Sequence, residues 1–470
     1  MSSPIFRKKT FLHNASDAAS HSLKRCLSAW DLTFLGIGAI IGTGIFVLTG
    51  VAAATQAGPA IILSFILAGL ACTFAALSYA ELAAAIGGCG SAYGYSYVAF
   101  GELCAFIIGW DLLLEYSIAV ATVANGWSGY FCTMLKAINL PLPAALTKPP
   151  ALGGIINLPA MLIILVLMTL LILGTQHSAK ANNVMVWIKL ITISFFIAIA
   201  SLHVHPENWQ PFMPFGWFNT LPDGHTTGIL AGASLVFFAY VGFDAVSTAT
   251  EEAKNPQRDL PFGIVASLLF CTVIYIVVAG LLTGVIPYTQ LNVSSPVAHA
   301  LNLMGYPWAS ALISTGVIAG LSTVMLVLYY ALTRIIFAMS RDGLLPVFFN
   351  EVHSKTNTPV RVIVLCGGVM ACIAGFIPLG ELAELVNIGT LAAFVLVCLG
   401  VIMLRITQPD MPRPFKTPLS PLFPLLGVIS CSALMSFLPT ITWLRFLIWL
   451  GVGLSIYFAY SIHHSKLGQA

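Results

Sequence analysis

After a polar, basic stretch of about 28 residues, the chain alternates between long apolar runs and short clusters of Pro, Gly, Asn and charge. A hydrocarbon core of ~30 Å needs ~20 apolar residues per helix. Cutting at those clusters predicts twelve spans: Trp30 to Gly50, Pro59 to Ile86, Glu102 to Leu135, Leu158 to Gly174, Ala181 to Leu202, Thr226 to Thr250, Leu260 to Ile286, Trp308 to Met339, Val360 to Phe376, Leu382 to Leu404, Leu422 to Leu438 and Trp443 to Ile462. The predicted fold class is therefore all-α and integral to a membrane. One transmembrane domain covers residues 29–463, between a cytoplasmic N-terminal tail (1–28) and a short cytoplasmic C-terminus (464–470).

Composition agrees with the pattern. Of 470 residues, 58% are hydrophobic and 8% charged, and the mean hydropathy is +0.94, against roughly 25% charged residues in an average soluble domain. The net charge of +3 says less than its distribution. With the N-terminus placed inside, 16 of the 20 basic residues fall in cytoplasmic segments, and Lys136, Lys148 and Arg445 fall outside. That asymmetry supports an even number of spans with both ends in the cytoplasm. The first 28 residues lack the apolar run of a cleavable signal. Most cysteines lie within apolar runs, where they act as small hydrophobes. Cys132, near the expected outer end of the third span, is the candidate for a bond to an accessory subunit.

Two spans carry interruptions. The first contains Gly36-Ile37-Gly38-Ala39-Ile40-Ile41-Gly42-Thr43-Gly44-Ile45-Phe46, with Gly42 ~18 Å along a helix beginning at Trp30, near the bilayer midplane. Glycines there weaken the helix by ~1 kcal/mol each, and unwound backbone at that depth is tolerated only where it lines a cavity. Close helix packing through small residues is the alternative reading. The sixth span contains Phe237-Phe238-Ala239-Tyr240-Val241-Gly242-Phe243-Asp244. Spans one and six each head a set of five, giving repeats of about 30–202 and 226–404 followed by two further helices at about 421–463. Matching interruptions in two oppositely oriented halves point to an inverted-repeat transporter with its site between them. Gly42, Gly44 and Gly242 are the unwinding residues. Half-helix N-termini suit an anion and bare carbonyls a cation; a zwitterionic amino acid presents both groups.

Lys189 lies within the fifth span, ~13 Å from its cytoplasmic end, and a lysine there is expensive. Snorkelling serves helix ends, so the sequence favours a proton carrier. Asp111 and Glu115 share a face of the third span, and for this pair structural and functional readings stand level. Asp244 follows the second interruption, in position to cap or to gate. Glu81, Glu102 and Arg334 fall near the cytoplasmic interface, where loop and gate contacts are expected.

These residues resemble the amino acid-polyamine-organocation superfamily, and within it the bacterial relatives of the cationic amino acid transporters. The resemblance runs from Leu27 to Ile462. It is most specific at Gly36 to Phe46, at Gly242-Phe243-Asp244-Ala245-Val246-Ser247-Thr248-Ala249-Thr250-Glu251-Glu252-Ala253-Lys254-Asn255-Pro256 with Arg258 and Pro261, and at Thr333-Arg334 followed by Ala338-Met339-Ser340-Arg341-Asp342-Gly343. It implies the five-plus-five inverted-repeat fold. It also implies a substrate carboxylate at Thr43, Gly44 and the amides after them, beginning with Ile45, and an amine at the carbonyls of Ile40, Phe238 and Val241. Tyr240 and Glu115 join the pocket, and Lys189 stands where other members bind sodium, with Ser322 and Thr323 as its hydroxyl partners. The expected function is proton-coupled, sodium-independent amino acid symport; an exchanger and a membrane-embedded sensor are the alternatives. The partners are then an amino acid, protons and lipid. Without a nucleophile–base set, metal cluster or phosphate loop in the sequence, no enzyme activity, cofactor or metal is expected.

Overall fold

The computed structural model describes residues 7–8, 27–86, 91–173, 179–220, 226–351, 353 and 358–468. Most of the predicted N-terminal tail, with Lys9, Lys24 and Arg25, lies outside them, as do Lys355 and the last two residues. The described chain is predominantly helical; its β structure is a two-residue antiparallel pair, β1 (Asn219–Thr220) with β2 (Thr226–Thr227), and two isolated bridges.

The main helices are α1 (Ala29–Ile40), α2 (Ile61–Ile86), α3 (Ser91–Ala99), α4 (Glu102–Ala137), α5 (Leu158–Ile172), α6 (Ala179–Ser201), α7 (Ile229–Val236), α8 (Pro256–Val285), α9 (Pro307–Arg341), α10 (Val360–Phe376), α11 (Leu379–Thr407), α12 (Leu422–Ser436) and α13 (Thr440–Ile456). Local chemistry sets several starts. Ser28 and Asp31 close a capping box on α1. Asn157 caps α5 through Ala160 N–H, and proline occupies the first turns of α5, α8 and α9, where its missing N–H costs nothing. Among the described residues, eight helical runs are long and apolar enough to cross a membrane, and α1, α5, α10 and α12 are shorter apolar helices. One of the eight is continuous from Gly44 to Ile86, so the second half of the first predicted span leads into the second with only the positive-φ Gly58 between them. Helix α3 was not among the predicted spans; nine residues behind a glycine cluster carry too little apolar length to register as one.

In the core, α4 packs along α9 and α11, while α8 packs along α1 and α2. The charges expected near a membrane interface are tied down. Arg405 holds Glu81 through two nitrogens at 2.9 and 2.7 Å, and Thr417 N–H adds 2.7 Å. Glu102 accepts from Tyr97, Tyr457 and Ser465 hydroxyls, and Arg334 reaches Glu252 at 3.6 Å.

Candidate functional site

Helix α1 is capped by the extended Ile41, at φ −72° and ψ 98°, whose N–H makes the last α-helical bond to Ile37 O. The carbonyls of Gly38, Ala39 and Ile40 therefore lie beyond the last complete turn. The chain resumes as a π-helix, Gly44–Leu48, a form that recurs at functional sites. After α7 the second interruption begins as a 3-10 turn, Phe237–Tyr240. It continues through Val241 (φ −58°, ψ 133°) and Gly242 (φ +117°) into the short helix Ala245–Thr248. A φ of +117° strains any residue with a Cβ.

The two interruptions touch. A Cβ on Gly44 would lie 2.3 Å from Ala239 Cα, so Gly44 is required there by the approach of the two backbones. One on Gly242 would lie 3.0 Å from Ala39 O. Gly42 differs, because its nearest neighbour would be Val324 at 3.8 Å, ordinary contact. Between the interruptions lies a narrow cavity. Helix α1 and the residues after it contribute Ala39, Ile40, Gly42, Thr43 and Gly44, and the walls are completed by Ala119, Val123, Phe238, Val241, Val324 and Leu328. Thr43 is fully buried against Gly126 of α4, with its hydroxyl making no hydrogen bond to the protein.

Several expected site residues gather here: Ile40, Thr43, Gly44, Phe238 and Val241 line the cavity, and Ile45 lies next to it in the π-helix. Tyr240 does not. Its hydroxyl donates to Phe65 O of α2 at 2.8 Å, so this residue, the last of the 3-10 turn, directs its side chain to α2. Glu115 is also outside the cavity lining; it sits buried on α4 one turn below Ala119, beside Tyr116. Asp111 is buried against Gly389 of α11. Asp244 holds the N-cap position of Ala245–Thr248 without a side-chain capping bond, and its Oδ2 accepts from Tyr116 at 2.7 Å.

Lys189 is 1% exposed, and its Nζ donates to Gly38 O at 2.6 Å. The Lys189 amino group thus satisfies an orphan carbonyl at the negative end of a half-helix. Its stem lies over Gly320 of α9, where a Cβ would approach Lys189 Cγ to 2.9 Å. The expected hydroxyl partners are corrected. Ser322 is two positions from Gly320, ~200° around the helix, and accepts from Trp127 Nε1 while donating to Ile318 O. Thr323 shares the Gly320 side but turns its hydroxyl back onto Gly320 O at 2.7 Å. Cys132 is a free, partly buried thiol on α4.

Sequence reasoning missed three tyrosines. Tyr275 of α8 donates to the carbonyls of Ile40 (2.8 Å) and Ala239 (2.9 Å), Tyr116 holds Asp244, and Tyr130 donates to Phe46 O at 2.7 Å. The available signal was the residue type itself. A tyrosine in the middle of an apolar span brings a hydroxyl that must find a partner, and interrupted helices supply bare carbonyls.

The family model described as amino acid permease matches residues 27–457. The methylthioribose transporter of Bacillus subtilis (strain 168) is 51% identical over 99% of this chain and 100% of its own length. The branched-chain amino acid permease BcaP of the same organism is 50% identical over 100% of both chains. The vacuolar cationic amino acid transporter 4 of Arabidopsis thaliana is 37% identical over 87% of this chain and 68% of its own. The chain belongs to the amino acid permease family, a family of membrane-spanning transporters.

Proposed function

We propose that this permease carries amino acids with apolar side chains, in symport with protons and without sodium. The relatives do not decide the substrate, since two of them share about half of this sequence and carry names with different cargoes. The observation that supports the reading is the character of the cavity. Ala119, Val123, Phe238, Val241, Val324 and Leu328 present only hydrocarbon, and Thr43 is the single polar side chain among its lining residues. A cationic side chain would be desolvated there without a partner, at a cost of several kcal/mol, and a sugar's hydroxyls would go unpaired. An aliphatic side chain meets neither penalty. Its carboxylate would face Thr43 and the amides opening Gly44–Leu48, and its ammonium the carbonyls of Ile40, Phe238 and Val241.

Lys189 supports proton coupling. It occupies a buried position on Gly38 O, where its protonated form would do what a bound sodium ion does. An ammonium at membrane depth costs ~2.5–3.5 kcal/mol in an isolated helix; it persists best if one transport state stabilises the charged form and another the neutral amine. The twelve-segment, inverted-repeat architecture with both termini inside belongs to the same reading. It is supported by the eight long and four short apolar helices, the paired interruptions and the basic bias of one set of loops.

Uptake of labelled leucine into proteoliposomes under an inward proton gradient tests it. Valine and isoleucine should displace leucine, lysine and methylthioribose should not, and replacing sodium by choline should leave the rate unchanged. Displacement by methylthioribose at lower concentration than by valine would overturn the substrate assignment, and sodium dependence would overturn the role of Lys189.

A further inference from the structure

The carbonyls stranded at the end of α1 are met by side chains from two other helices. Gly38 O receives Lys189 of α6, and Ile40 O receives the hydroxyl of Tyr275, two-thirds of the way along α8. That hydroxyl also lies 2.9 Å from Ala239 O, in the 3-10 turn of the second interruption. Ala239 is the residue against which Gly44 packs, so Tyr275 reaches across the point where the two interruptions touch. Its ring is fully buried and braced edge-on against Tyr240 (5.4 Å) and tilted against Phe65 (5.6 Å), which fixes the position of its oxygen.

A tyrosine hydroxyl has a single proton to give. Two carbonyls at 2.8 and 2.9 Å share it, and each is left with less than a full donor in a site where an unsatisfied carbonyl is costly. An ammonium brings three N–H groups and a positive charge; of the two carbonyls, that of Ile40 belongs to a cavity-lining residue, and it keeps a lone pair for such a donor.

We infer that Tyr275 is a positioning residue for the substrate's ammonium: by holding the Ile40 and Ala239 carbonyls on one proton, it fixes both interruptions in the geometry that an incoming ammonium completes. This inference rests on the amino acid reading above and extends it, since the hydroxyl acts through the carbonyls, in advance of substrate.

The test compares Tyr275→Phe with Tyr329→Phe. Tyr329 also donates a buried hydroxyl to a carbonyl, Ile363 O of α10, away from both interruptions. In proteoliposomes, Tyr275→Phe should raise the KM for leucine by about tenfold, the size expected for one lost hydrogen bond, with kcat retained within about twofold; Tyr329→Phe should leave KM in place. Competition with 2-hydroxy-4-methylpentanoate, in which a hydroxyl replaces the ammonium, gives the specific readout. Tyr275→Phe should lower the preference for leucine over this analogue by about fivefold or more, whereas equal weakening of both, or equal KM changes in the two variants, would overturn the inference. Should Tyr275→Phe fail to fold, 3-fluorotyrosine at position 275 preserves ring and hydroxyl. Its fluorine resonance should shift more with saturating leucine than with the hydroxy acid, and identical shifts would overturn the proposal. Failure of the underlying amino acid reading is separate, because the unaltered protein would then take up no leucine.

Discussion

At the first interruption the backbone leaves the helix at Ile41 with dihedrals open to any residue, and Gly44 is needed because Ala239 of the second interruption crosses 2.3 Å from where its Cβ would be. The second interruption turns through Gly242 at φ +117°, so there the glycine is needed for the turn itself. Their electrostatics differ as well. The first is closed by a basic residue, Lys189 on Gly38 O, and the second leads into an acidic one, Asp244, held by Tyr116. A glycine in a membrane helix thus marks either a backbone that must bend or one that must let a neighbour approach. The two demands fail differently under substitution.

Four substitutions probe that difference. The largest effect is expected from Lys189→Met, which preserves much of the stem over Gly320 but removes the cation from the first interruption. Accumulation of leucine driven by a pH difference alone should be abolished while exchange survives; concentrative uptake by the purified variant in liposomes would be incompatible with the role given to Lys189. Next is Gly44→Ala. Its methyl meets backbone, which cannot swing aside like a flexible side chain. Overpacking of this kind costs about 1–3 kcal/mol, and the variant should melt at lower temperature and lose leucine-induced thermal stabilisation; unchanged stabilisation would mean that the two interruptions separate when substrate binds.

Gly242→Ala should be milder. Left-handed backbone costs a residue with a Cβ about 1–2 kcal/mol, and the added methyl lies 3.0 Å from Ala39 O, so KM for leucine should rise by roughly tenfold with insertion intact. A wild-type KM would show that the turn relaxes. The smallest effect belongs to Gly42→Ala, whose methyl has only Val324 near it at 3.8 Å. Transport should stay within about twofold of wild type. A loss as deep as that of Gly44→Ala would show that position 42 also needs a backbone without a Cβ.

Much of this was legible before any coordinates. Apolar runs long enough for a bilayer, the glycine clusters in the first and sixth spans, and an isolated Lys189 among Trp187, Ile188 and Leu190 are local signals, set by the hydrophobic effect and backbone strain within a few residues of each site. Those signals located the two interruptions, and it was the family resemblance that implied Ile40, Thr43, Gly44, Phe238 and Val241 as one site. Facing was another matter. Helices such as α2 and α5 are apolar nearly all round, so periodicity does not tell which side meets which neighbour, and a rotation of 100° per residue separates a cavity wall from a lipid-facing position. Tyr240 was assigned to the pocket and turned out to bond Phe65; Ser322 was assigned to Lys189 and turned out to face Trp127. Tertiary structure alone decided which donor meets each stranded carbonyl, because the partners of Gly38 and Ile40 lie 151 and 235 residues away along the chain. Sequence determines that a broken helix must leave carbonyls unsatisfied. Only the packing of distant helices selects the ammonium of Lys189 for one and the hydroxyl of Tyr275 for another.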